Sequence, residues 1–168
     1  MRIRELERRE WALFRELRLR SLAESPDAFA RRYVDEQAQP DAHWIRLTES
    51  VTTPGGQVML LAEEEGRPSG LVFGILDKEH PRTGVVGGMW VEPAARGKGA
   101  GRALLEAVIE WARARQLERL ELWVTEGNGP ATRLYERAGF TDTGRREPLA
   151  SNPALRTLHM TRTLRGDP

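Results

Sequence analysis

The stretch from Gly87 to Leu105, GGMWVEPAARGKGAGRALL, joins an apolar strand end, a glycine-rich loop and a helix start with almost nothing between them. That order builds an anion site. The loop Arg96-Gly97-Lys98-Gly99-Ala100-Gly101-Arg102 lacks bulk at three positions, so its backbone can approach a ligand closely and adopt positive φ where needed. Leu104, Leu105, Val108, Ile109, Trp111 and Ala112 then repeat at helical spacing. The unpaired first N–H groups and the positive dipole end of that helix therefore lie at the loop. Phosphate is the natural guest of such a terminus. Arg96, Lys98 and Arg102 add formal charge that suits a diphosphate better than a single carboxylate.

Two well-known phosphate loops are excluded. A Walker loop ends in Gly-Lys-Ser/Thr, but Gly101 is followed by Arg102 and Ala103, leaving no hydroxyl for magnesium. A dinucleotide fingerprint starting at Gly97 or Gly99 would need glycine or alanine where Arg102 and Leu104 stand. What remains is Arg-x-x-Gly-x-Gly after a strand ending Val91-Glu92-Pro93.

At these residues the chain resembles the GNAT superfamily of N-acetyltransferases, whose acyl-CoA loop reads Gln/Arg-x-x-Gly-x-Gly/Ala between a strand and a helix. Asn128, Ala131, Leu134-Tyr135-Glu136 and Gly139-Phe140 match the family's second block, Asn-x-x-Ala-x-x-Leu-Tyr-x-x-x-Gly-Phe, at the family's spacing. The two blocks run from Thr83 to Phe140, about a third of the chain. The resemblance implies an α/β fold with a mixed, mostly antiparallel and twisted sheet of about seven strands, splayed in the middle and flanked by about four helices. A length of 168 residues suits one such domain, 1–168.

An acyl thioester attacked by an amine passes through a tetrahedral oxyanion. The site therefore needs a neutral amine, a fixed N–H donor and a proton for the leaving thiolate. Gly87-Gly88 is a plausible β-bulge, since glycine inside a strand often marks one; the alternative is that Gly88 only makes room for Trp90. By the resemblance, acetyl-CoA is the co-substrate. It would lie along Met89, Trp90 and Val91, with the Val91 N–H facing the thioester, and its phosphates would rest on Arg96, Gly97, Lys98, Gly99, Ala100, Gly101 and Arg102. Asn128, Ala131 and Tyr135 complete the implied cofactor set, and Tyr135 is the implied general acid. Helical spacing alone places Tyr135 in a core with Ala131, Leu134 and Ala138. The strand glutamate that some family members use as a base is replaced by Trp123. Glu92 and Glu126 are left as candidate bases acting through water, with Glu121 also nearby and a solvated charge the plain reading of each.

In chain order the pattern predicts a strand over 2–6, a helix over 8–22 and an irregular polar segment over 27–40. A helix capped by Asp41 follows, then a hairpin of strands 58–63 and 69–76 and a strand over 83–92. The phosphate-loop helix runs to Gln116, and a strand over 120–124 precedes a short helix capped by Asn128 with Pro130 in its first turn. Strands 140–143 and 155–164 close the chain, with 145–154 as a linker. The tryptophans Trp11, Trp44, Trp111 and Trp123 read as packing.

Acceptor recognition falls outside the two blocks. The segment between the first helices offers Asp27, Phe29 and Glu36 as candidate substrate contacts. The preferred acceptor is a small-molecule amine, with a peptide N-terminus or lysine as an alternative and a non-catalytic acyl-CoA sensor as the competing class. With 26 basic and 25 acidic residues the net charge is +1, so nothing points to nucleic acid or a membrane surface. The charged start MRIRELERRE carries no signal peptide, and the absence of cysteine fits a cytoplasmic protein without disulfides. Three scattered histidines and no cysteine predict no metal site. A homodimer is compatible with the resemblance.

Overall fold

A computed structural model describes residues 1–166. Its elements run β1 (Arg2–Glu5), α1 (Trp11–Glu24), α2 (Tyr33–Gln37), α3 (Asp41–Thr52), β2 (Val58–Glu64), β3 (Arg67–Leu76) and β4 (Thr83–Val91). They continue with α4 (Ala100–Ala114), β5 (Arg119–Thr125), α5 (Gly129–Arg137), β6 (Thr141–Leu149) and β7 (Asn152–Thr163). The seven strands form one sheet in the order β1-β2-β3-β4-β5-β7-β6. All neighbours are antiparallel except β4 and β5.

Two apolar clusters cover the two faces of this sheet. On one, Leu104, Leu105, Val108 and Ile109 of α4 pack with Val72, Val86, Leu120 and Leu122. On the other, Phe14 and Leu17 of α1 and Trp44 of α3 pack with Met59, Leu61, Leu71 and Trp90. The strand period of two sends alternate residues of β2 and β3 into these two cores, which is why both strands read as almost continuous apolar runs. Glu65 and Gly66, with φ of 50° and 77°, form the two-residue turn between them.

The parallel pair is where the sheet opens. β4 and β5 are in register only at Thr83–Arg119, Gly84–Leu120 and Val85–Glu121. Beyond Val85 they diverge, because β4 carries a bulge: Leu71 faces Trp90 while Phe73 faces Gly87, so three steps on β4 match two on β3. Gly88 holds φ of 60° there, and a Cβ on it would lie 2.4 Å from Cδ2 of Phe73. Gly88 thus makes the bulge, and the ring it leaves room for is that of Phe73, not of Trp90 as the alternative had it.

Four expectations need correction. The first helix begins at Trp11, not Arg8, because Arg4 grips both carboxylate oxygens of Glu10 at 2.8 and 2.9 Å and draws residues 7–10 into a turn. Residues 27–40 are not irregular: a 3-10 turn, Pro26–Ala28, and the five-residue α2 lie within them, α2 being braced by Arg32 on Asp35 at 2.8 Å. The described helices number five, in keeping with about four expected. Asp41 is the first residue of α3 and Pro40 its cap, since the His43 amide closes the turn on the Pro40 carbonyl at 3.0 Å. The supposed linker 145–154 is a hairpin, β6 to β7. As the sheet's edge, β6 has no need of apolar alternation and tolerates Pro148.

Candidate active site

The divergence of β4 from β5 opens a cleft of about 1670 Å³ that runs from the 96–102 loop to the turn after α1. Met89, Trp90 and Val91 of the bulged strand line it, with Thr125, Glu126 and Asn128 across from them. The Glu92 amide donates to the Ser69 carbonyl at 2.7 Å, and Gly70 stands opposite Val91. By the alternation of an antiparallel ladder, the Val91 N–H then points away from β3, into the gap left by β5.

At the mouth, Gly97 and Gly99 hold φ of 76° and 89°, and a Cβ on either would meet no atom within 4 Å. Gly99 is the N-cap of α4 and supplies no side chain to it. Among the described residues the amides from Gly97 to Arg102 find no acceptor, so a run of donors converges on open space at a helix N-terminus. Coenzyme A diphosphate is the kind of group these residues fit. Arg96, Arg102, Arg133, Arg137 and Arg162 line the same cleft. Arg133 and Arg137 lie one turn apart on α5, a spacing that would have marked them in the sequence beforehand. Lys98 is exposed and turned toward Glu64, 3.8 Å away, outside the lining. Arg102 pairs with Glu106 at 2.8 Å.

Asn128 caps α5, its Oδ1 accepting from the Ala131 amide at 3.3 Å, and both residues border the cleft. Tyr135 is 7% exposed and packs edge-on against Phe140 with ring centres 6.1 Å apart. Its neighbours Leu134 and Ala138 line the cleft, whereas Tyr135 itself stands behind them. Burial pushes its phenol above the ordinary value, so the hydroxyl stays protonated.

The carboxylates separate clearly. Glu92 is ion-paired with Arg20 and does not line the cleft. Glu126 does line it and is held by Nε of Arg146 at 2.6 Å. Glu121 is turned to His159, 3.2 Å away. Glu36 is 8% exposed, lies 3.7 Å from His43, and is not in the lining; a helix rather than a loop carries it inward. Asp27 and Phe29 do line the cleft. Their segment is tied down at two points: Thr125 donates to the Asp27 carbonyl and Ser151 to the Phe29 carbonyl, each at 2.6 Å. Glu24 also lines the cleft, which nothing in the sequence pattern indicated. Trp44 and Trp111 are core residues, while Trp123 is half-buried beside His159 under Arg145. No group of three or more His, Cys, Asp or Glu among the described residues could hold a metal ion, and no described helix is long and apolar enough to cross a membrane.

A sheet parted by a bulge, with a bare helix N-terminus at one end of the gap, defines an acyl-CoA-binding acetyltransferase fold. The chain belongs to the Acetyltransferase (GNAT) family, whose model matches residues 7–140. It is 47% identical over 51 residues to mycothiol acetyltransferase of Beutenbergia cavernae, covering 30% of this chain and 17% of that protein. It is 39% identical over 69 residues to streptothricin acetyltransferase of Streptomyces lavendulae, covering 41% and 36% respectively. The matched stretches thus span well under half of these curated relatives. Among solved structures, yncA of Salmonella typhimurium, determined with its cofactor acetyl-CoA, superposes with a TM-score of 0.81 at 22% identity over 100% of this chain and 96% of that one.

Proposed function

We propose that this protein moves the acetyl group of acetyl-CoA to the nitrogen of a small-molecule primary amine, by direct attack through a tetrahedral intermediate. The observation that carries the reading is the Val91 amide, which the ladder with β3 turns outward into the gap left where β5 diverges. A fixed N–H donor in a partly dry gap is what an oxyanion requires, and such donors contribute roughly 3–4 kcal/mol to acyl transfer elsewhere. The unpaired amides of 97–102, with Arg96 and Arg102, hold the diphosphate. Met89 and Trp90 wall the pantetheine slot, while Asn128 and Ala131 border it from α5.

Tyr135 is the general acid in this scheme, reaching the sulfur past Leu134 and Ala138 when the cleft is filled. Of the two candidate bases, each paired with an arginine, Glu126 is preferred because it borders the cleft and Glu92 does not. Its part is to take the ammonium proton through water. Support for a small-molecule acceptor comes from relatives named for mycothiol and streptothricin.

The test is release of CoA from acetyl-CoA with a panel of primary amines, scored beside a peptide N-terminus. Acceleration by small amines supports the reading. Tight CoA binding with no amine-dependent release would make the protein a sensor, and acetylation of the peptide alone would reassign the acceptor.

A further inference from the structure

We propose that Arg18 recognises a carboxylate on the acceptor amine. The inference rests on the acetyl-transfer reading of the cleft and adds to it the class of acceptor.

Arg18 lies on the inner side of α1, its guanidinium carbon 4.8 Å over the ring of Phe29 and 5.9 Å from the ring of Phe73. Its Nη1 is buried and has no hydrogen-bond partner. The aromatic faces answer the charge but cannot accept the in-plane N–H groups. No carboxylate forms an ion pair with it among the described residues, although the chain holds 25 acidic residues and pairs many of its other arginines. Burial is the main influence on this group and lowers its pKa to about 10, with Glu36 opposing from a distance and Arg31 adding to the effect. A buried guanidinium with an open N–H is costly, and an anion bound beside it would offset that cost.

Its position says what that is. Nη1 stands 3.5 Å from the place a Cβ of Gly88 would occupy, so it lies against the bulge that opens the sheet. The Phe29 ring on its other side is a wall of the cleft. Because α4 and its loop occupy the opposite face, an acceptor reaches Val91 from the α1 side and meets Phe29 on the way. Arg18 itself is outside the lining, and the Phe29 ring, 6% exposed, stands between it and the cleft, so recognition requires that ring to turn about its side-chain bonds and uncover the guanidinium. A planar fork with free N–H groups matches a carboxylate edge-on.

The experiment compares matched pairs, an α-amino acid and its carboxamide, in two assays on the full chain: CoA release, and calorimetric binding to the CoA-loaded protein. Wild type should favour the carboxylate member by about ten- to a hundredfold in both assays. Arg18→Met, which keeps length and contact with the two rings, should bring that ratio to about one, acting through KM and Kd rather than kcat. Arg18→Lys should restore part of it. A wild-type ratio near one in the binding assay, or a ratio that survives in a folded Arg18→Met protein, overturns the proposal. Preserved carboxylate selectivity in binding without CoA release would uphold Arg18 and defeat acetyl transfer instead.

Discussion

Glu24 accepts a hydrogen bond from Nε1 of Trp90 at 2.9 Å, and the same carboxylate oxygen accepts from Nη2 of Arg96 at 2.7 Å. Arg96 in turn donates through Nε to the Val91 carbonyl at 2.9 Å. One oxygen at the end of α1 thus joins that helix, the bulged strand and the glycine loop before α4. Burial alone would raise the Glu24 pKa, but donors from Ser25, Trp90 and Arg96 outweigh it and hold the carboxyl below its ordinary 4.5. Removing the charge with Glu24→Gln should cost about 1 kcal/mol in urea unfolding at pH 7. A folded-state pKa that is depressed contributes stability above the unfolded value and loses it as pH falls through the folded one. The difference between wild type and Glu24→Gln should therefore be constant from pH 6 to 8 and shrink below about pH 4.5. A gap that widens in acid would contradict the pairing. In kinetics the KM values for acetyl-CoA and amine should rise together, by about three- to tenfold, because one contact serves both sides.

The bulge should be the least replaceable piece of backbone. At Gly88 an alanine would need φ of 60° and would place its Cβ 2.4 Å from the Phe73 ring, itself stacked near Phe14 and Arg18. Both penalties act at once, and the sum is about 3 kcal/mol or more. Gly88→Ala should lower the thermal midpoint by about 8 °C or more and reduce acetyl transfer further than the lost stability explains, since Val91 would be re-aimed. Recovery of stability in Gly88→Ala with Phe73→Ala, without recovery of activity, would separate the two roles.

How far the sequence could be read follows from where its signals are local. The glycine loop that starts α4, the Asn128 cap and the strand–helix order after Thr83 are written in neighbouring residues, so they are legible from spacing. The α1 end of the cleft is assembled from residues distant in sequence. Glu24 meets Trp90 and Arg96 across 66 and 72 positions, and Ser151 meets Phe29 across 122. No periodicity records such meetings. The helix α2 was missed because five residues carry too little propensity to show, and tertiary contact decides their state. The β6–β7 hairpin was missed because an edge strand that buries only one end looks, residue by residue, like a loop.

A matched pair of glycine variants tests whether the loop binds through its backbone. Gly99 and Gly55 hold φ of 89° and 79°, and a Cβ on either would meet nothing within 4 Å. Gly99→Ala and Gly55→Ala should therefore carry the same conformational cost, about 1 kcal/mol each by thermal unfolding. Only Gly99→Ala puts a methyl group among the open amides of the cleft, and it alone should weaken CoA, by about tenfold or more in calorimetry. Equal CoA affinity in the two variants would move the phosphates elsewhere.

Tyr135 gives the sharpest discrimination between an enzyme and a sensor. Its ring belongs to the core, projecting from α5 against Phe140, so Tyr135→Phe removes one oxygen and little else. If that oxygen protonates the departing thiolate, the variant should bind acetyl-CoA within about twofold of wild type while turnover falls by about a hundredfold, in the range of general acids. The pH profile supplies the second half of the test. Burial pushes the phenol above its ordinary 10.0, so the acid is fully protonated across the accessible range and imposes no alkaline descent below about pH 9.5. The wild-type rate should climb with the free amine fraction and then stay level. A descending limb near pH 8 that disappears in Tyr135→Phe would mean a phenol far more acidic than its surroundings allow. Unchanged turnover in the variant would leave Tyr135 a packing residue and hand the thiolate its proton from water.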